Sequence, residues 1–246
     1  MRSFYLTDPG KVRSHNEDSV TILNNDNGEY LLAVADGMGG HSAGEVASSI
    51  AINHLSKMFK DNFLNMEKVQ AVNWLRDTVI EINDLIFDYA EKHPESKGMG
   101  TTLVVALLTK EYILFGNIGD SSGFVIKDNK LRKVTYDHTL VNLLLRAGEI
   151  SEAQAKEHPK KNVLMKALGA NNPIDIDIFD CDMDIDAILL CSDGLTTMLD
   201  DEQIEKVLNS DVDIEEKVIK LIRKCNNRGG TDNISIAYLT FKEEGE

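Results

Sequence analysis

Hydrophobic and polar residues follow two different periods along this chain, and each period predicts a different kind of element. Residues 30–35 form an unbroken apolar run, which is typical of a strand buried on both faces. Between residues 69 and 89, apolar residues recur every three or four positions, which predicts a long amphipathic helix. Another helix is predicted for residues 43–59, so two helices stand between the first strands and the next ones.

The middle of the chain is predicted mainly as strands, and helices return towards the end. The predicted strands are residues 19–23, 101–108, 112–117, 123–127, 130–134, 174–186 (half exposed), 187–191 and 234–241, and the further helices are 139–157, 201–209 and 213–225. Strands follow strands without βαβ alternation, which favours two mostly antiparallel sheets packed together with helices outside. The sequence therefore predicts an α+β fold in a single domain over residues 1–241, followed by a frayed acidic tail at 242–246.

Charge and cysteine content restrict the function and the location of the protein. The chain has 26 Lys and Arg residues against 41 Asp and Glu residues, a net charge of −15. This acidic surplus argues against binding nucleic acid through its phosphates and against docking on anionic lipid. The chain has three cysteines, Cys181, Cys191 and Cys225, which are too few for a disulfide framework. The first residues contain no signal peptide, and no apolar run is long enough to span a membrane. We therefore expect a cytoplasmic protein without membrane insertion.

Acidic residues recur where predicted strands begin or end. Five short motifs share this position: NED at 16–18, ADG at 35–37, IGD at 118–120, SDG at 192–194 and GTDN at 230–233. Each motif alone is explained by turn chemistry, because Asp and Gly are favoured in turns. Five together predict a shared carboxylate cluster, which like-charge repulsion would destabilise unless a cation bound there. Mg²⁺ and Mn²⁺ are the expected cations, since both prefer oxygen ligands.

Eight motifs, in one order along the chain, resemble those of the metal-dependent serine/threonine protein phosphatases of type 2C in their compact bacterial form. They are RSHNED at 13–18, DGMGGHSAGE at 36–45, GTT at 100–102, GDS at 119–121, DH at 137–138, ALG at 167–169, CSDG at 191–194 and GGTDN at 229–233. The resemblance extends from residue 13 to about residue 239, nearly the whole chain. It implies a four-layer αββα sandwich, in which helix pairs flank two mostly antiparallel sheets.

The resemblance also implies a set of metal ligands. Asp36 would bridge two Mn²⁺ or Mg²⁺ ions, and the backbone carbonyl of Gly37 would complete the shell of the second ion. Asp193 and Asp232 would hold the first ion. Asp120 would help Asp193 to hold a third, looser ion.

Further residues are expected to act beside these ligands. Glu17 and Asp18 would act near the second ion, either directly or through water. Arg13 matches the phosphate-binding arginine of the family, and its planar guanidinium suits a bidentate phosphate contact. Where some relatives have a His proposed as general acid, this chain has Met38. His41 stands three residues further on, where we favour a helix-capping role over proton donation.

The reaction implied by the resemblance is hydrolysis of phosphoserine and phosphothreonine. A hydroxide bridging the two ions would attack phosphorus in line, without a covalent phosphoenzyme. The implied partners are phosphorylated proteins, including a Ser/Thr protein kinase, and the expected state is a monomer. Residues 139–169 would form a flap beside the active site. Its five basic and three acidic residues either attract acidic substrates or only form a solvated surface.

Two other functions are compatible with parts of the sequence. GDSSG at 119–123 fits the G-x-S-x-G pattern of serine hydrolases, with Ser121 as the nucleophile. That pattern requires a helix after the serine, whereas residues 124–127 are predicted as a strand. The other possibility is a phosphoprotein-binding scaffold without activity, against which the intact set of candidate metal ligands argues.

Overall fold

The computed structural model describes residues 1–39, 43–161 and 163–241. Within these ranges the strands are β1 (Arg2–Asp8), β2 (Asp18–Asn24), β3 (Tyr30–Met38), β4 (Gly100–Thr101), β5 (Leu103–Leu108), β6 (Ile113–Ile118), β7 (Ser122–Lys127), β8 (Lys130–Lys133), β9 (Asp177–Cys181), β10 (Ala187–Cys191) and β11 (Ile234–Thr240). The α-helices are α1 (Ala43–Asn62), α2 (Lys68–Lys92), α3 (Leu140–Arg146), α4 (Glu152–Glu157), α5 (Asp193–Thr196), α6 (Asp201–Leu208) and α7 (Ile214–Asn227).

The described strands form two antiparallel sheets. One sheet has five strands in the order β1-β11-β10-β7-β8. The other has six strands, in the order β2-β3-β5-β6-β9, with the short β4 paired to β3. Neighbouring strands are antiparallel throughout both sheets, as predicted from the lack of βαβ alternation.

Strand β3 illustrates how the apolar pattern produces layers. Successive side chains of a strand point to opposite faces of its sheet. Leu31 and Ala33 pack in the core that the sheet forms with α1 and α2. Leu32 and Val34 pack in a second core, between the two sheets. The unbroken apolar run therefore serves two cores at once.

Helices cover the outer face of each sheet. α1 and α2 bury Leu55, Val79 and Ile82 against the six-stranded sheet, and α6 and α7 bury Ile204 and Leu221 against the five-stranded sheet. Burying each of these side chains contributes about 1.5–3 kcal/mol. The resulting order of helices, sheet, sheet and helices is the predicted four-layer α+β sandwich, so the fold prediction is confirmed.

Strand β1 is absent from the sequence prediction. It is an edge strand paired with β11, and its side chains are exposed or half-buried. Edge strands of this kind carry a weak apolar signal, which explains why the pattern of hydrophobic residues misses it.

Two predicted elements are shorter in the structure. The single helix predicted for residues 139–157 is two helices, α3 and α4, and Gly148 lies between them with a φ of 73°. The strand predicted for residues 174–186 is confined to β9. Residues 182–186 follow it as an irregular connection, where Asp184 forms an ion pair with Lys127. The predicted half-exposed strand over 182–186 is therefore wrong.

The topology brings the acidic motifs to one edge of the two sheets. Asp18 at the start of β2 pairs directly with Asp36 near the end of β3. Asp120 lies between β6 and β7, and Asp193 follows β10 immediately. Asp232 comes just before β11, which is the neighbour of β10. Residues far apart in sequence are thereby placed at the same end of the sandwich.

Two predictions fall outside the described ranges: the helix-capping role of His41 and the tail at 242–246. Among the helices that the structure describes, none combines the length and the apolar character needed to cross a bilayer.

Candidate active site

The gathered strand ends line a cleft of about 220 Å³. Seven of the eight predicted site residues line it: Arg13, Glu17, Asp36, Gly37, Asp120, Asp193 and Asp232. Asp18 is the eighth, and it lies buried beside Asp36 at the start of β2. Among the described residues that line the cleft, Arg13 is the only basic one. The cleft therefore combines a concentrated negative charge with a single guanidinium.

The acidic residues of the cleft strongly influence each other's ionisation. Burial is the main cause that raises the pKa of Asp36 well above its ordinary value, and the carboxylates of Asp18 and Asp193 add to the effect. Burial also raises the pKa of Asp120 to about 7 and that of Asp193 to about 6. Asp36 and Asp193 both line the cleft, and each ionised carboxylate makes ionisation of the other less favourable.

Asp18 has an unsatisfied buried oxygen. Its Oδ2 accepts a hydrogen bond of 2.7 Å from Ser192 Oγ, whereas its Oδ1 is buried without a hydrogen-bond partner among the described residues. Burial is the main cause that raises the pKa of Asp18 to about 7. A buried oxygen without a partner is costly, and a bound cation is one group that can satisfy it.

The chemistry of this donor set fits a hard divalent cation. All candidate donors are oxygens, from carboxylates and from the backbone carbonyl of Gly37, which Mg²⁺ and Mn²⁺ prefer. No three His, Cys, Asp or Glu side chains within the described ranges already converge as a metal-binding group. Asp232 instead forms an ion pair with Arg13. The candidate ligands therefore line one cleft, and one of them is held by a basic partner.

Arg13 is tied directly to one of the candidate ligands. Its Nη2 lies 2.8 Å from Asp232 Oδ2. This hydrogen bond is the largest cause that raises the pKa of the guanidinium above its ordinary value. The side chain of Arg13 is still 52% exposed, so the guanidinium is available to a phosphate group entering the cleft.

Gly37 lies in a place that no other residue could occupy without a backbone shift. A Cβ there would come within 2.1 Å of the Gly44 carbonyl oxygen, in the first turn of α1. It would also come within 2.5 Å of the Glu17 carbonyl oxygen, which accepts a hydrogen bond of 3.1 Å from the Gly37 N–H. Because Gly37 has no side chain, the end of β3, the backbone of Glu17 and the first turn of α1 can approach one another at the cleft.

Comparison with known proteins identifies the family. The protein phosphatase 2C family model matches residues 11–234. The chain is 42% identical to the serine/threonine phosphatase stp of Listeria welshimeri over 237 residues, which are 96% of this chain and 94% of that protein. It is 35% identical to the protein phosphatase PhpP of Streptococcus pneumoniae over 97% of both chains. The solved serine/threonine phosphatase of S. agalactiae superposes with a TM-score of 0.92 at 32% identity, covering 98% of this chain and 99% of that one.

The chain belongs to the protein phosphatase 2C family. The family that the eight motifs predict is therefore confirmed. The structure of this family member also bears on the serine-hydrolase alternative. Ser121 is fully buried, and its Oγ lies 2.7 Å from Thr102 Oγ1. A nucleophile must contact its substrate, so the position of Ser121 argues against that role.

Asn233 is a residue of the site that the sequence analysis did not single out. Its Nδ2 donates hydrogen bonds of 2.9 Å to the carbonyl oxygens of Pro9 and His15, and its Oδ1 accepts one of 2.8 Å from the Glu17 N–H. One buried amide therefore fixes both ends of the loop that carries Arg13. The motif GGTDN contains Asn233, but the contacts that give it this role are more than 200 positions away along the chain.

His138 holds the turn that carries Asp120. Its Nδ1 accepts a hydrogen bond of 3.0 Å from the Gly119 N–H. Its Nε2 lies 3.2 Å from Asp177 Oδ2, which is an ion-pair distance without hydrogen-bond alignment. Asp177 also accepts a hydrogen bond of 2.9 Å from Lys166 Nζ. Lys166, one of the five basic residues of the predicted flap, is therefore bonded to the first residue of β9.

Proposed function

We propose that this member of the protein phosphatase 2C family is a cytoplasmic serine/threonine protein phosphatase that depends on Mn²⁺ or Mg²⁺. The observation that carries the proposal is the ion pair between Arg13 and Asp232 at the mouth of a cleft lined by buried acids. In this ion pair, the guanidinium of Arg13 is suited to binding phosphate, and the carboxylate of Asp232 is suited to binding a metal ion. The names of the phosphatases from Listeria welshimeri and Streptococcus pneumoniae support the same activity.

Two core cations would be held by Asp36, the Gly37 carbonyl, Asp193 and Asp232. Asp120, with Asp193, would hold a third and weaker cation, and Glu17 and Asp18 would act near the second. When bound, these ions supply Lewis acidity that activates water for attack on phosphorus, and positive charge that offsets that of the phosphate. Without them, the carboxylates of the cleft would repel a phosphate dianion.

Side chains of the cleft would bind the substrate, and the leaving group would also need a proton. Arg13 would bind and orient the phosphoryl group through its planar guanidinium, and Asp232 would keep that guanidinium in place. Met38 lines the cleft, and its thioether cannot donate a proton to the leaving oxygen. The proton for the leaving group therefore comes from another source, such as water.

The location, the partners and the flap are further parts of the proposal. Phosphorylated proteins, including a Ser/Thr kinase, would be the substrates of a monomeric enzyme. The three free cysteines support a reducing cytoplasm. Residues 139–169 would serve as the flap of the single domain 1–241, which is supported by Leu164, a residue of this segment that lines the cleft.

The test is phosphate release from a phosphothreonine peptide by the wild type, by Asp36→Asn and by the matched surface variant Asp61→Asn. We expect chelation to abolish hydrolysis and Mn²⁺ to restore it in the wild type and in Asp61→Asn, but not in Asp36→Asn. Hydrolysis that is unaffected by chelation would overturn the metal-dependent mechanism and favour a serine hydrolase. Binding of the phosphopeptide without hydrolysis in saturating Mn²⁺ would instead support a scaffold.

A further inference from the structure

Thr102 contacts the backbone of Asp36, near the end of β3, through both its own backbone and its side chain. The Thr102 N–H donates a hydrogen bond of 2.9 Å to the Asp36 carbonyl oxygen. In return, the Asp36 N–H donates one of 2.9 Å to Thr102 Oγ1. Thr102 is 1% exposed, so these groups have no access to bulk water. The position of Asp36 therefore depends on this threonine.

The same side chain also contacts the turn of Asp120. Thr102 Oγ1 lies 2.7 Å from Ser121 Oγ, and Ser121 is fully buried. Thr102 packs its methyl group against Gly119, where a Cβ would come within 2.5 Å of Thr102 Cγ2. One threonine thus touches both neighbours of Asp120 while it bonds the backbone of Asp36.

The geometry points to a positioning role for this pair of hydroxyl groups. We propose that the Thr102–Ser121 hydrogen bond fixes Asp36, near the end of β3, relative to the turn of Asp120, and thereby sets the affinity of the cleft for divalent cations. The proposal rests on the metal centre proposed above. It also gives Ser121 a function that fits its burial, in place of nucleophilic attack.

The physical reason is that carboxylates bind a cation tightly only when their oxygens are held at fixed positions. Groups that orient metal ligands commonly change metal affinity about 10- to 100-fold when removed. Replacing Thr102 by valine keeps the shape of the side chain and removes only the hydroxyl. The Asp36 N–H and Ser121 Oγ would then be buried without this partner. The end of β3 and the turn of Asp120 would then be free to shift relative to each other.

The test is calorimetric titration of the chelator-treated protein with Mn²⁺ alone, which needs no turnover. We expect Thr102→Val to bind Mn²⁺ about tenfold more weakly than the wild type. Thr102→Ser restores the hydroxyl without the methyl group and should bind within about twofold of the wild type. Ser121→Ala should weaken binding in the same direction, and the double variant Thr102→Val/Ser121→Ala should be no weaker than Thr102→Val, because the pair acts as a unit.

Thr109→Val is the matched control. Thr102 directly precedes β5 and Thr109 directly follows it. The buried Oγ1 of Thr109 accepts hydrogen bonds of 3.1 Å from the N–H groups of Glu111 and Tyr112. This variant should lower the midpoint temperature of unfolding without changing Mn²⁺ affinity. Equal losses of affinity in Thr109→Val and Thr102→Val would show general destabilisation and overturn the proposal.

Other results separate this proposal from the proposed function. Normal Mn²⁺ binding by Thr102→Val, or a loss in Thr102→Ser as large as in Thr102→Val, would overturn the positioning role and leave the metal centre intact. A wild type that binds no Mn²⁺ would overturn the metal centre itself, and the positioning role with it. If Thr102→Val does not fold, Thr102→Ser and Ser121→Ala still decide the question.

Discussion

Arg13 Nη2 lies 2.8 Å from Asp232 Oδ2, although the two residues are 219 positions apart in the sequence. The Gly230 carbonyl oxygen accepts hydrogen bonds from the N–H groups of Lys11 and Val12, and so docks the loop of Arg13 on the turn before β11. The candidate phosphate-binding group and a candidate metal ligand are therefore positioned by one another. A change in either one is expected to affect both functions.

Replacing Arg13 by lysine tests this relationship. Arg13→Lys keeps the positive charge but loses the planar fork that can bind phosphate and Asp232 together. A hydrogen bond between charged groups contributes about 1.5–3 kcal/mol, so kcat/KM for a phosphopeptide should fall about 10- to 100-fold. Arg132→Lys on the exposed strand β8 is the control and should be unchanged. Kinetics of Arg13→Lys that match the wild type would mean that Arg13 does not contact the phosphate.

The acids of the cleft make opposite contributions to activity and to stability. Asp36→Asn, Asp193→Asn and Asp232→Asn should each lower kcat about 100-fold or more, since each replaces a negatively charged ligand of the proposed core cations by a neutral amide. In the presence of chelator, Asp36→Asn and Asp193→Asn should raise the midpoint temperature of unfolding, because they relieve repulsion among buried carboxylates. The measurements are steady-state kinetics with Mn²⁺ and thermal unfolding with chelator.

An exposed acid is the control for both measurements. Glu202→Gln on α6 removes the same charge at the surface and should change neither quantity. A loss of stability in Asp36→Asn and Asp193→Asn, measured with chelator, would mean that these carboxyls stabilise the fold through their other contacts more than they repel each other.

Much of the site can be predicted from sequence because its residues lie in short motifs at strand ends. Asp36 follows an apolar run that must be a buried strand, and Asp193 follows another. Pairing within each sheet then places Asp18 beside Asp36, and Asp232 near Asp193. Thr102 and Asn233 are different. Their roles depend on hydrogen bonds to Asp36 and to the loop of residues 9–17, which no local pattern encodes.

The break between α3 and α4, which the sequence prediction missed, does have a recognisable sequence pattern. The break between α3 and α4 ends at Ser151, whose side chain accepts a hydrogen bond from the Gln154 N–H in a capping box. A serine followed three residues later by glutamine, just after Gly148, is a helix-start pattern that outweighs the apolar period across 139–157. Strand β1, by contrast, exists only because β11 offers it a partner, and its side chains gain little burial.

The acid stability of the protein should depend on Asp177. Burial tends to raise the pKa of this carboxyl, but the hydrogen bond from Lys166 and the proximity of His138 outweigh it, and the pKa is lowered. A lowered pKa means that the ionised group stabilises the fold above its ordinary pKa near 4, and that this contribution is lost as the pH falls through the lower value.

Thermal unfolding between about pH 3 and pH 6 measures this contribution. Asp177→Asn should have a lower midpoint temperature of unfolding than the wild type at the upper end of this pH range, and the difference should vanish at the lower end. Lys166→Met should reproduce the effect, since it removes the main cause that lowers the pKa. A difference between Asp177→Asn and the wild type that stays constant over this range would show that the contact acts by packing rather than by charge.

Three lysines of the proposed flap whose side chains the structure describes differ in their surroundings. Lys160 and Lys161 are exposed, whereas Lys166 is half-buried and bonded to Asp177. Of these three, Lys160 and Lys161 are placed to attract an acidic phosphoprotein without disturbing the turn of Asp120. Such attraction acts through the field around a protein, and it weakens as salt screens the charges.

Changing Lys160 and Lys161 together to serine should lower kcat/KM for a phosphoprotein about threefold at low ionic strength and reduce the salt dependence of that constant. Hydrolysis of a small aryl phosphate should be unchanged, because it carries no acidic protein surface for these two lysines to attract. The control is the same double change at Lys57 and Lys60, which are exposed on α1. Equal losses on both substrates would mean that the segment shapes the metal site rather than selecting partners. No change on either substrate would mean that the two lysines are only a solvated surface.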